Sequence, residues 1–522
     1  MGLSTIKTPG VYINEVNAFS NSVVQVATAI PAFIGYTPQA LYQGQPFINK
    51  PVKITSFVDF QEIFCYPAST SGVSPKQYSP QYYLVAQKTQ PRQGDYLLVN
   101  NTYYSILPDA NTIYYLYNSI QFFFNNGGAE AYIVSVGTYG LSSNTPLKTG
   151  AQIVNPNVTL TDLQHGLTLL KNEQEPTMYI CPEATLLSPA DNALLMQSML
   201  AQCGQMQTAI SIFDIIGGNY PDPLLFMNDI ATFRQNTGSI ALNYGAAYYP
   251  FIGTNIMQPQ DIDFTNLFGG DVMQLEPILN PPSNANVVVA AILQNIQAGN
   301  NAGTLANNNA LLAASRDYAN IMQQVLNLVN MLPASGAIAG VITTVDSTRG
   351  VWEAPANISI AGAASLPIKL SDDEQAGLNI DAASGKSINA IRYFNGVGIL
   401  IWGARTLDGN SQDWRYLSVR RTMIMIEQTC KLAAQAYVFQ PNDKNTWMAV
   451  QASISNFLTN LWKQGGLQGA SPADAFSVAC GLGATMTADD ILNGFMNVTV
   501  KVAVAHPAEF IVITFQQAMA TS

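Results

Sequence analysis

Ala209-Ile-Ser-Ile-Phe-Asp-Ile-Ile-Gly-Gly-Asn-Tyr-Pro-Asp222 is a short apolar run that passes straight into a glycine-rich, acidic loop. Residues 209–215 are too few for a helix and read as a buried strand, ended by Gly217-Gly218 and Pro221. The same pattern recurs on either side: strands are expected at 131–136, 177–181, 209–215, 239–249 and 336–345, with helical segments between them. Ser188-Pro-Ala-Asp191 opens one of these helices with an N-cap serine, a proline at the first helical position and an acid at the third. Asp222-Pro223 is expected to open the next in the same way. Strand and helix patterns that alternate from 129 to 350 define an α/β layer with a mainly parallel sheet.

Two interruptions read as insertions. Between 66 and 112, Tyr-rich strands at 96–99 and 102–107 flank Asn100-Asn101, a hairpin signal. Between 255 and 310, Pro281-Pro282 and the Asn, Ala and Gly-rich tract 295–309 read as an insertion with mobile loops. Beyond residue 370 the chain becomes α+β. Val419, Met423, Ile426, Cys430, Ala433 and Tyr437 form one apolar helical stripe, with Ser418 as its expected cap. Trp447, Val450, Ile454, Phe457 and Leu461 form a second, stopped by Gly465-Gly466. The organisation expected is an N-terminal strand arm and linker (1–22), a first part of the core carrying the β-rich insertion (23–128), an α/β domain (129–357), a C-terminal α+β domain (358–497) and a C-terminal strand arm (498–522).

Both chain ends carry strand patterns. Val498, Val500, Val502 and Val504 share one face, opposite Thr499, Lys501 and Ala503. His506-Pro507 breaks the run, and Phe510, Ile511, Val512, Ile513 and Phe515 then form a strand apolar on both faces. At the other end Val11, Tyr12, Ile13, Glu15 and Val16 form a short strand after Pro9-Gly10, followed by a turn-rich linker at 17–22. Terminal strands leave edge N–H and C=O groups that must be covered, and pairing with another subunit is one solution.

Composition points to assembly. Only 11% of the 522 residues are charged, against roughly 25% in an average soluble protein. So few charges protect a monomer poorly against self-association, which favours a surface buried in an assembly over a secreted protein with a neutral polar surface. A net charge of −11 opposes a phosphate-neutralising surface, so no nucleic-acid partner is expected. The apolar runs at 287–293 and 398–402 are of core length, well short of the roughly 20 residues that span a bilayer, so no membrane insertion is expected. The N-terminal residues lack a signal-peptide core, and synthesis in the cytoplasm is expected. The five cysteines, widely spaced and without a Cys-x-x-Cys pair, read as reduced, mostly buried thiols.

Motifs for catalysis, metals and cofactors are lacking. His165 and His506 are the only histidines, and neither stands in a metal or general-base context. Gly385-Lys386-Ser387 has Ile380 where a phosphate loop needs its first glycine. The best enzymatic candidate is the loop from Asp214 to Asp222, at the carboxyl end of a strand where α/β proteins commonly bind ligands. Caps and turns explain the same residues more simply. Arg405, Arg415, Arg420 and Arg421, with Asp408, Asp413 and Glu427 nearby, read as local structural pairing.

Several longer motifs stand in one order along the chain: Val345-Asp-Ser-Thr-Arg-Gly-Val-Trp-Glu-Ala-Pro-Ala-Asn357, Ile388-Asn-Ala-Ile-Arg392, Gly398-Ile-Leu-Ile-Trp-Gly-Ala-Arg-Thr-Leu407, Trp414-Arg-Tyr-Leu-Ser-Val-Arg-Arg421 and His506-Pro-Ala-Glu-Phe510. Thr8-Pro-Gly-Val-Tyr-Ile-Asn-Glu-Val16, Ile54-Thr-Ser-Phe-Val-Asp-Phe60 and Phe122-Phe-Phe-Asn-Asn-Gly-Gly128 precede them. Together they resemble the tail-sheath proteins of contractile phages and phage-like contractile injection systems. The resemblance implies a core motif of Arg349, Trp352, Trp402, Gly403, Arg405, Trp414, Arg420 and Arg421. It also implies a multidomain α/β and α+β fold, with a central domain of subtilisin-like fold but no usable Ser-His-Asp set, an inserted β-rich domain and extended terminal β-arms. The function implied is a structural subunit that polymerises helically, in six-fold layers, around an inner tube and drives it out by contraction. The arms would exchange strands between subunits. Implied partners are further copies of the chain, the inner tube protein, baseplate and terminal cap proteins, and sheath paralogues; no cofactor is implied. The tube-facing element is expected within 370–497, with the helix at 443–464 as first choice. Such a subunit assembles in the bacterial cytoplasm, into a phage tail or an injection machine that is released or membrane-anchored. The alternatives are a hydrolase using the α/β domain and a non-contractile shell protein.

Overall fold

The computed structural model describes residues 23, 25–67, 75–91, 96–299 and 303–511. The N-terminal arm expected at 1–22 lies outside them. The described residues divide into two compact units: a body, Ala27–Ile424 with residues 506–511, and a C-terminal unit, Met425–Ala505 with the described residues up to Val26.

The body is built on a nine-stranded sheet. Its strands in chain order are β1 (Pro31–Thr37), β2 (Pro51–Ile54), β3 (Ala131–Thr138), β4 (Met178–Ile180), β5 (Ile210–Asp214), β6 (Gly245–Tyr249), β7 (Ile358–Ser359), β8 (Asn389–Phe394) and β9 (Gly398–Ile401). Across the sheet the order is β7-β9-β8-β6-β5-β4-β1-β3-β2. The six strands from β3 to β8 in this order are parallel. Antiparallel strands close each side: β2 on β3, and β9 on β8 with β7 beyond it. β1, β4, β5 and β6 are buried along their whole length, as parallel strands covered on both faces must be. Burial on both faces explains why their sequences show apolar runs instead of alternation.

Several expected elements form where their local signals lie. Ser188 Oγ accepts from Asp191 N and starts α2 (Pro189–Met206), which ends where Gln207 takes φ +56°. It follows α1 (Leu116–Asn125) along the chain. Asn100 and Asn101 both adopt positive φ, +47° and +63°, as the two central residues of a type I′ hairpin turn require. Their hairpin, Tyr96–Val99 with Thr102–Pro108, gains a third antiparallel strand from Tyr82–Gln87. Asn100 Nδ2 donates to Ile278 O and ties the hairpin to the region 255–310. That region contains the helices Val287–Gln297 and Thr304–Ala314 as well as loops.

Other expectations are corrected. Residues 336–345 form no strand; they lie in a helix, α3 (Ser335–Thr348). Every residue from Ser335 to Thr343 is buried, so over this stretch the helix is enclosed on all sides and its sequence shows no helical period. Gly336 and Gly340, one turn apart, let α3 approach the backbone of α1: a Cβ at Gly336 would lie 2.5 Å from Ser119 O, and one at Gly340 2.5 Å from Phe123 O. The strand expected at 239–249 is confined to β6, because a turn with Ala241 at φ +51° precedes it. Asp222 forms a turn, Oδ1 accepting from Leu224 N, and the helix begins later at Phe226. Ser418 caps nothing: it lies inside α4 (Leu417–Gln435), where its side chain is buried. Strands β7, β8 and β9, placed by sequence in a separate C-terminal domain, extend the main sheet, and the second compact unit starts at Met425.

Candidate functional site

The carboxyl end of the parallel sheet holds two buried carboxylates. Asp214, at the end of β5, accepts from Ala334 N at 2.7 Å and Ser335 N at 3.0 Å and so satisfies the free amides at the start of α3. Burial pushes its pKa up to about 6, against the opposing pull of the Ser335 and Ala334 hydrogen bonds. Glu183, just past β4, does the same for α1: Oε1 accepts from Leu116 N at 2.8 Å and Tyr115 N at 3.3 Å. Burial raises it to about 7. A Cβ at Gly35, in β1, would lie 2.2 Å from Glu183 Oε2. The crevice between β1 and β4, where the strand order reverses and open α/β sheets bind ligands, is therefore occupied by the chain itself. Glu183 was not singled out in the sequence, although an acid placed directly after an expected strand is the signal that finds it. Among the described residues no group of three or more His, Cys, Asp or Glu is placed to hold a metal ion. His165 is exposed on the helix Leu160–Leu169. The five thiols are unpaired, and all but Cys430 are buried.

The residues that carry the sheath resemblance interlock within the body. Arg421 makes a two-pronged ion pair with Asp346 of α3, at 2.5 and 2.8 Å, and donates to Thr28 O at 2.8 Å. The guanidinium of Arg420 lies between the rings of Trp414 and Tyr244, 4.4 and 4.7 Å from their centroids. Gly403 lets the chain pass Asn389, whose Cα a Cβ at that position would approach to 3.0 Å. Asn389 in turn accepts from Arg405 N and donates to Arg405 O and Ala247 O. Trp402 packs on Phe394 at 4.4 Å. Trp352 covers Gly350, which has φ +104°, while Arg349 is exposed at the end of α3. Arg405 and Arg421 do not pair with the nearby Asp408 and Asp413, as sequence proximity suggested. Their acids, Glu509 and Asp346, lie far away along the chain.

The C-terminal unit holds α5 (Lys444–Lys463) and a two-stranded antiparallel sheet, β10 (Phe476–Cys480) with β11 (Val498–Val502). Val450, Ile454, Phe457 and Leu461 of the expected stripe are buried, Trp447 is half-buried, and Gly465 ends the run at φ +90°. β11 has the expected two faces: Val498, Val500 and Val502 half-buried, Thr499 and Lys501 exposed. It is not a free arm, however. Five residue pairs join it to β10 of the same chain, and Val504 bridges to Leu467. Phe510 and Ile511 are exposed and in no strand. Val512, Ile513 and Phe515, like Val11, Tyr12, Ile13, Glu15 and Val16, lie outside the described residues.

The structure thus comprises an α/β body whose switch-point crevice is filled by its own side chains and a small unit of helix and two-stranded ribbon. Residues 410–518 match the family described as the phage tail sheath C-terminal domain. Two tail sheath proteins match parts of the chain. That of Vibrio phage KVP40 is 27% identical over 139 residues, 26% of this chain and 20% of that protein. That of Burkholderia phage BcepMu is 26% identical over 157 residues, 29% and 32% of the two chains. The chain thus spans about a fifth and about a third of the curated relatives that it matches. Similarity to solved structures runs end to end. A chain of the six-fold symmetrised baseplate of the anti-feeding prophage matches at 24% identity and a TM-score of 0.57, covering 99% of this chain and 100% of that one. A chain of the PVC sheath complex, an extracellular contractile injection system in its contracted state, matches at 24% and 0.58, covering 98% of each. The chain has the mixed α/β fold of these two chains.

Proposed function

We propose that this protein is the structural subunit of a contractile sheath, stacked in helical six-fold layers around an inner tube that it drives outward by contraction. The observation that carries the reading is the ribbon of β10 and β11, which pair only with each other among the described residues and sit in the segment that matches the tail sheath domain. Two strands alone are marginal; on β10 the outward Val478 carbonyl already accepts from Gln451 Nε2, whereas the outer edge of β11 has no strand paired to it among the described residues and offers its main-chain groups to an added strand. The strand patterns at 11–16 and 510–515 supply such strands from neighbouring copies. Each cross-strand apolar pair contributes roughly 0.2 to 1 kcal/mol. A contact of this kind is heterologous and repeats helically instead of closing.

The linker at 17–22 then acts as a hinge, and the bodies rotate and move outward on contraction while the strand mesh stays whole. The extended lattice is a metastable state, and repacking of weakly charged body surfaces supplies the stroke without a nucleotide. The body sheet is the counterpart of the domain described as subtilisin-like in the sheath family. Further partners are the tube protein, the baseplate and terminal cap proteins, and sheath paralogues, in a particle assembled in the bacterial cytoplasm. The test is to delete residues 1–16 and image the protein with its tube partner by electron microscopy. Folded bodies without sheaths are expected; sheaths of normal length from the truncated chain would refute the mesh.

A further inference from the structure

Past Ala505, where the main-chain pairing that follows β11 ends, the chain is tied to the body through the carboxylate of Glu509. Glu509 receives Arg405 Nε at 2.9 Å on Oε1 and Arg405 Nη2 at 2.6 Å on Oε2, a fork-to-fork ion pair. Asn379 Nδ2 donates to Oε1 at 2.9 Å, and the Tyr416 hydroxyl reaches Oε2 at 3.4 Å. The His506 ring meets the Tyr416 ring edge-on, with centroids 6.1 Å apart. The Arg405 side chain is only 3% exposed, and Glu509, 104 residues away, supplies its one acid partner among the described residues. A guanidinium so deeply buried is strongly unfavourable without a carboxylate, so withdrawing Glu509 from this site is costly. Between Ala505 and His506 the chain passes from the C-terminal unit to the body, and it has no regular structure from His506 to Ile511. Directly past the ion pair, Phe510 and Ile511 are 69% and 79% exposed, large apolar side chains left uncovered.

We propose that Asn379, Arg405 and Tyr416 form a carboxylate-binding socket in which Glu509 anchors the root of the C-terminal arm, so that only residues beyond Glu509 are free to enter a second copy of this chain. The hinge of the arm then lies after Glu509 and not at Pro507, where the sequence breaks its strand pattern. The anchor fixes the point from which the residues with the apolar strand pattern, 510–515, continue, and thereby which neighbour they reach. The role of the socket in assembly rests on the sheath reading; the anchoring itself does not.

The full chain tests both. In R405M/E509Q the buried charge and its partner are removed together, so no ion is stranded in the body. Chymotrypsin cleavage after the exposed Phe510, which needs the anchored residues on its amino side to enter the protease, is expected to accelerate at least tenfold in the unassembled subunit while the body keeps its melting transition. Sheath yield with the tube protein, counted by electron microscopy per folded subunit, is expected to fall at least tenfold. Should the double variant fail to fold, R405M alone, which leaves a Glu509 side chain 22% exposed and able to turn to water, gives the same two readouts. Unchanged cleavage overturns the socket. Accelerated cleavage with native sheath yield overturns its role in assembly. If the native chain itself forms no sheath, the assembly role falls with the sheath reading, and the cleavage measurement still decides the anchor.

Discussion

Removing Asp346 should destabilise the body more than any nearby surface change. Its carboxylate and the Arg421 guanidinium are 5% and 3% exposed, and two bonds of 2.5 and 2.8 Å join them. Both are almost wholly shielded from water, so D346A leaves a buried cation with Thr28 O, 2.8 Å away, as its remaining acceptor among the described residues. Breaking one side of such a pair costs about 3 to 5 kcal/mol, most of it the penalty for the stranded charge. Replacing both partners, as in D346L/R421M, removes that penalty and leaves the Thr28 carbonyl without this donor, a cost of about 1 to 3 kcal/mol. The double variant should therefore be more stable than the single one. Urea unfolding of the unassembled subunit, followed by tryptophan fluorescence, measures both. A loss below about 1 kcal/mol for D346A, or a double variant no better than the single, would refute the claim that charge burial dominates here.

Other consequences are equally direct. G340V places carbon where Phe123 O lies 2.5 Å away, so α1 and α3 must separate, and a loss of about 1 to 3 kcal/mol is expected in the same urea assay; native stability would show that the two helices are not in contact. The raised pKa values of Glu183 and Asp214 mean that the folded body binds protons more tightly than the unfolded chain. Their effect favours folding at acid pH and is lost as pH rises, from 4.5 to about 7 for Glu183 and from 3.8 to about 6 for Asp214. For Glu183 the swing is on the order of 3 kcal/mol, and E183Q should flatten the fall in stability between pH 5 and 7.5; an unchanged slope contradicts the assignment. In R420A the rings of Trp414 and Tyr244 lose the cation between them. A cost of roughly 2 kcal/mol is expected, with R420K recovering only part of it because ammonium does not stack; full recovery by lysine would rule out the stacked geometry.

What could be read in advance had one-sided or short-range causes. The hairpin at Asn100-Asn101 depends on two residues tolerant of positive φ, and α2 on the serine, proline and aspartate at its start. The stripe of α5 is visible because one face is buried and the other is not. Strands β3, β4 and β5 were legible as short apolar runs between turn signals. The run 336–345 offered the same appearance and was misread, because a helix enclosed on every side has no polar face to mark its period. In the candidate site the motif residues were visible and their partners were not. Arg405 meets Glu509 across 104 residues and Arg421 meets Asp346 across 75, and no local rule selects one distant acid over another.

By itself the sequence determined the α/β alternation, the caps and turns that delimit its elements, and the alternating faces of β11, since each depends on residues a few positions apart. Only the tertiary structure decided that β11 pairs with β10, that Glu183 and Asp214 cap α1 and α3, and that Glu509 returns to the body. Those contacts are set by which buried surfaces meet and which unpaired charges and amides they must satisfy, and that requirement exists only once the chain is packed.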